Sequence, residues 1–159
     1  ISLKDALLTD YLITQDKTDF NLYYINDKNP SSLNLLCINK NEIKPIFVAK
    51  KFMKFNSIAQ GRINEIQFFL VKIKLPVRID TSLILKCKED VNPVLYPEPL
   101  IVEDTYQDPE NPIKNDYFIF NENDTYYLLY TSPYNQSTSI FISVIDLKEI
   151  KEKIQEICK

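Results

Sequence analysis

Phe69-Leu70-Val71-Lys72-Ile73-Lys74-Leu75-Pro76-Val77-Arg78-Ile79 is the stretch that decides how this chain folds. Phe69, Val71, Ile73, Leu75, Val77 and Ile79 occupy one phase of a two-residue repeat, while Lys72, Lys74 and Arg78 occupy the other. Successive side chains of a strand point to opposite faces, so the pattern predicts a strand with one buried face and one cationic face. Pro76 removes a ladder donor and predicts an edge strand or a bend at that point.

Working outward, residues 21–25 and 33–38 read as strands around the polar turn 26–32, and residues 45–49 form a further apolar run. Residues 56–64, which include the sole glycine Gly61, read as a loop or a short helical turn, and residues 82–87 as a short strand. Toward the C-terminus, residues 116–120, 125–131 and 139–145 predict a three-stranded meander with turns at 121–124 and 132–136. Asp146 then caps an amphipathic helix whose stripe Leu147, Ile150, Ile154 and Ile157 is expected to bury against that meander. At the other end, Ser2 is an N-cap candidate with Asp5 three residues on. Leu3, Leu7, Leu8, Tyr11 and Leu12 follow helical spacing, which predicts a short helix to about residue 14. The expectation is a single α+β domain over residues 1–159, mainly antiparallel sheet with a short N-terminal helix and an amphipathic C-terminal helix. A first residue of Ile1 rather than Met points to a piece of a longer protein.

Composition excludes the commonest catalytic designs. With no histidine there is no imidazole to activate a nucleophile or to bind zinc, and a single glycine rules out a glycine-rich phosphate cradle. The chain is 45% hydrophobic and 12% aromatic, enough for a sizeable core without a metal. Its net charge of −3 argues against a globally basic nucleic-acid coat. Cys37, Cys87 and Cys158 form an odd set without metal-ligand spacing. They read as reduced thiols in an intracellular protein, cytoplasmic or nuclear. No apolar run reaches the roughly 18–20 residues that span a bilayer, so no membrane insertion is expected, and no cofactor motif is present.

Charge is segregated along the chain. Between Lys44 and Arg78 eight basic residues face the single acid Glu65, whereas between Leu95 and Tyr126 eight acids face the single base Lys114. Lys50, Lys51, Lys54, Lys72, Lys74 and Arg78, with Phe52, Phe55 and Phe68 nearby, form a candidate surface for nucleic acid or another anion. The plainer reading is a solvated sheet face whose lysines protect an edge. Glu103, Asp104, Asp108 and Glu110 offer oxygen ligands for a hard cation, but lack the spacing of a calcium loop. Residues 92–112 form a proline-rich acidic excursion holding Pro93, Pro97, Pro99, Pro109 and Pro112. Its Tyr96, Leu100 and Tyr106 either close an exposed sheet edge or present a docking strip to a partner. The leading functional expectation is a non-catalytic intracellular binding or assembly module with a protein partner. A nucleic-acid-binding domain using residues 44–78 is the alternative, and a metal-dependent hydrolase using residues 103–110 the third.

Overall fold

Three short turns fold residues 8–48 of the computed structural model into an antiparallel sheet. The structure describes residues 7–16, 18–63, 65–76, 78–88, 91–104, 117–122, 125–131, 140–145 and 147–159. β1 (Leu8–Asp16), β2 (Asp19–Asn26), β3 (Asn29–Cys37) and β4 (Glu42–Val48) pair in chain order. At the β2–β3 turn the Lys28 amide donates to Asn26 Oδ1 at 2.8 Å, an Asx turn. At the β3–β4 turn Asn41 takes φ 55°, a left-handed conformation that asparagine tolerates. Asparagine thus does the turning in a chain with almost no glycine.

A central sheet follows, built from β5 (Lys54–Ile63), β6 (Ile66–Lys74), β7 (Arg78–Lys86) and β8 (Val94–Leu95), with β9 (Ile101–Asp104) also paired to β7. β10 (Tyr117–Glu122), β11 (Thr125–Thr131) and β12 (Ile140–Ile145) form a separate antiparallel meander, and α1 (Leu147–Ile157) ends the fold.

The central sheet is buried on both faces. Toward the N-terminal sheet, Phe55, Ile58, Phe69, Val71, Ile73 and Ile84 pack with Tyr23, Ile25, Leu33 and Leu35. On the other side Ile63, Phe68, Leu70, Leu83 and Leu85 pack with Tyr96 and with Ile154 of α1, while Ile150 and Ile157 pack around them. The layers therefore run sheet, sheet, helix. Asp10 pins the first two together. The bulge between Leu8 and Asp10 sets its position, and its Oδ2 accepts from the Ile58 amide at 2.8 Å and from Ser57 Oγ at 3.1 Å.

Several expectations are corrected. The fold is mainly antiparallel β with one C-terminal helix among the described residues, not α+β with a helix at each end. Residues 8–16 are β1, whose alternate residues Leu12 and Tyr11 face inward and outward; the residues before Leu7 lie outside the described set. Both faces of this strand carry apolar side chains, so its alternation is hidden and the same residues can be threaded onto a helix. Residues 56–64 are largely strand rather than loop, since β5 runs from Lys54 to Ile63. The 69–79 stretch is two strands with Pro76 in the turn between them, and β6 is a central strand. The stripe of α1 reaches the central sheet through Ile154, while the helix also lies against β11 of the meander, where its burial was expected.

Cys87 and Cys158 are disulfide-bonded, with Cα atoms 5.0 Å apart across 71 positions, and only Cys37 is free. The reduced-thiol expectation fails because the pairing is topological. β7 and α1 end side by side, a proximity that no cysteine spacing encodes.

Gly61 is required for space rather than for its backbone angles. It pairs in register with Phe68, whose ring lies over it so that a Cβ would meet ring carbons Cζ at 2.0 Å and Cε1 at 2.7 Å. An aromatic ring laid over a glycine on an edge strand restores the packing that glycine lacks. Phe68 is itself enclosed and cannot swing away. In Gly61→Ala, overpacking costs about 1–3 kcal/mol and the stiffer unfolded chain returns about 0.4–1 kcal/mol. Urea unfolding is expected to show a net loss, and a neutral or stabilised variant would contradict the ring placement.

Candidate functional site

The surface with the strongest claim to a role is the outer face of the N-terminal sheet. In an antiparallel sheet, residues opposite one another share a face. One row runs Ile13–Leu22–Leu36–Ile43, and a second runs Tyr11–Tyr24–Asn34–Pro45. Gln15 pairs with Phe20, and Ser32 with Val48. The Ile38 amide donates to the Phe20 carbonyl at 3.0 Å, which places Ile38 beside the Phe20 end of the face.

Leu22, Tyr24 and Leu36 form a small cluster of their own, with Leu8 against it, apart from the core between the sheets. Around them Tyr11 is 58% exposed, Ile13 62%, Phe20 44%, Ile38 48% and Ile43 46%. None of the residues in these pairs is charged, in a chain that is 26% charged. Burial pushes the Tyr24 phenol above its ordinary value, so it too stays neutral. Charges gather at the ends of the strands instead, where Lys40 pairs with Asp19 at 3.9 Å and Asp27 and Lys28 occupy an exposed turn. Such a face can bind by exclusion of water.

The proposed cationic surface does not assemble as a unit. Lys72 is 2% exposed, because the phase expected to face solvent is covered by a second layer. Arg78 is committed to Asp80, Nε to Oδ1 at 3.0 Å and Nη2 to Oδ2 at 3.1 Å. Lys50, Lys51, Lys54 and Lys74 are exposed, and Lys54 pairs directly opposite Lys74 in the β5–β6 ladder. Like charges placed so repel, and four lysines at one end of the sheet can attract a polyanion. Beside Lys72 lies a cleft of about 190 Å³, counted with the solvent at its mouth and lined by Ser57, Ala59, Leu70, Val71, Lys72 and Thr81. The enclosed part of it is only about 10 Å³, room for about one water molecule.

The excursion closes a sheet edge. The Tyr96 amide donates to the Leu83 carbonyl at 2.8 Å and the Leu100 amide to the Thr81 carbonyl at 2.7 Å, while both side chains join the core under α1. Lys153 Nζ pairs with Glu98 at 2.7 Å and lies 5.5 Å from the centre of the Tyr96 ring, so helix and excursion clasp each other. The hydrogen bond to Glu98 holds the Lys153 ammonium above its usual range. Tyr96 and Leu100 are therefore structural, while Tyr106, Asp108 and Glu110 lie outside the described residues. Glu103 and Asp104 lie on β9, opposite Ile79 and Arg78. Among the described residues no group of three or more acids and cysteines is placed to hold a metal ion.

Sequence reasoning missed Tyr11, Ile13, Phe20, Ile38 and Ile43. One signal was available: Leu22-Tyr23-Tyr24-Ile25 and Leu35-Leu36-Cys37-Ile38 are continuous apolar runs, which mark strands apolar on both faces. No helix in the described fold covers the second of those faces. No family model and no curated protein matches the chain. Among the described residues no helix is long and apolar enough to cross a membrane.

Proposed function

We propose that this chain is a non-catalytic binding or assembly module whose working surface is the outer face of the N-terminal sheet. The observation that carries the reading is an uncharged face with five half-exposed large apolar side chains, on β1, β2, β4 and just past the end of β3. Its exposed apolar area is on the order of 500 Å² for side chains of these sizes, at the upper end of what monomers leave open. A protein partner suits it, since flat apolar surface with a polar rim is what protein interfaces bury. The Cys87–Cys158 bond supports an oxidising compartment as the working environment, in place of the reducing interior expected from the cysteine count.

Site-specific photo-crosslinking tests the reading. A photoreactive residue at Ile13 or Phe20, in cells expressing the native gene product, is expected to give a discrete intermolecular adduct. The same group at Lys28, exposed in the β2–β3 turn, is expected to give none. Absence of adducts at both face positions would remove the proposal.

A further inference from the structure

We infer that the occupant of this face is a second copy of the same chain, packed sheet on sheet about a two-fold axis. The inference rests on the binding-module reading above and names its partner. Three observations point there. First, the face carries no charge, so a copy set against itself opposes no like charges, whereas an acidic or basic partner finds nothing to pair with.

Second, the dimensions fit. Four strands about 4.8 Å apart and eight residue pairs of about 3.4 Å give a flat footprint of roughly 500 Å². Side-chain relief raises the accessible area of that footprint toward the roughly 800 Å² per partner of a standard interface. Ile13, Leu22, Leu36 and Ile43 form a continuous apolar row through its middle, and the charged turns lie beyond both ends.

Third, β4, one of the two edge strands of the sheet, carries Pro45 and the exposed Lys44, which disfavour strand-to-strand addition along that edge relative to packing through the face. The chain already packs a face of this kind once. The inner face of the same sheet lies on the central sheet through Tyr23, Ile25, Leu33 and Leu35.

Sedimentation equilibrium from about 1 to 100 μM, which reaches the weak end of the affinities that interfaces of this size show, is expected to show a species of twice the 18.7 kDa chain mass. Ile13→Glu and Phe20→Lys each place a charge on an exposed side chain. Each is expected to weaken association at least 100-fold while leaving the far-UV spectrum and melting temperature of the monomer unchanged. A wild-type chain that stays monomeric throughout, or a dimer indifferent to both variants, overturns the inference. The photo-adducts separate its failure from that of the binding-module reading. A monomer whose Ile13 and Phe20 positions crosslink to a different protein removes the second copy and leaves the module. A monomer that gives no adduct, or one only within its own chain, removes both.

Discussion

Cys158→Ser is expected to lower the free energy of unfolding by about 4 kcal/mol, from the loop entropy that a bond across 71 positions withdraws from the unfolded chain. The loss should appear equally in Cys87→Ser and in the reduced wild-type protein, since all three lack the same cross-link. α1 should suffer first. Its Ile154 is fully buried, and the Glu98–Lys153 pair beside it is too exposed to hold the helix alone. Denaturant unfolding gives the magnitude, and thiol titration supplies an independent check. Unfolded but unreduced protein should present one thiol, that of Cys37. Three titrating thiols would show that the bond does not form.

Phe69→Ala is expected to cost about 3–5 kcal/mol, the range for removing a large aromatic from a packed core. Phe69 is fully enclosed, stands between Gln60 and Ile84 in the central sheet, and meets the Tyr23 ring at 4.8 Å between centroids. It therefore bridges the two sheets, beside the Phe47–Phe55 ring pair and the hydrogen bonds of Asp10. The midpoint of a urea transition should fall with little change in slope, because the folded shape survives while a cavity opens. A loss under about 1 kcal/mol, as surface substitutions give, would mean that the two sheets do not pack through this ring.

The elements legible in the sequence are those whose local signal agrees with their surroundings. β2 and β3 are bounded by polar turns, β10 to β12 are separated by asparagine- and proline-containing sequence, and α1 has an apolar stripe at 3.6-residue spacing that Ile154 anchors. The misread elements are those governed by remote partners. β5 carries Asn56, Ser57, Gln60 and Gly61, weak strand formers held in place by pairing with β6. Lys72 alternates correctly with Val71 and Ile73, yet periodicity does not report that a helix and an excursion cover its side of the sheet. The excursion is a fair reading in part, since closing a sheet edge is one of the two roles its tyrosines and prolines allow, and Tyr96 and Leu100 do so. The candidate face was hidden by its own richness in apolar residues. A strand apolar on both sides has no alternation to read, and Tyr11 with Leu12 then mimics a helical pair.

The two faces of the central sheet differ in when they can be covered during synthesis. The N-terminal sheet is a run of neighbouring hairpins ending at Val48 and can form as soon as it emerges, ready to receive Phe69, Val71 and Ile73. The opposite face, with Phe68, Leu70, Leu83 and Leu85, receives Tyr96 and Leu100 soon after but is completed only by Ile154, some seventy residues later. At roughly 5–20 residues per second that surface stays partly open for several seconds. The bond that locks it must wait for residue 158 as well. A chaperone or translocation channel therefore meets this chain with its first sandwich half built and its second face only partly covered.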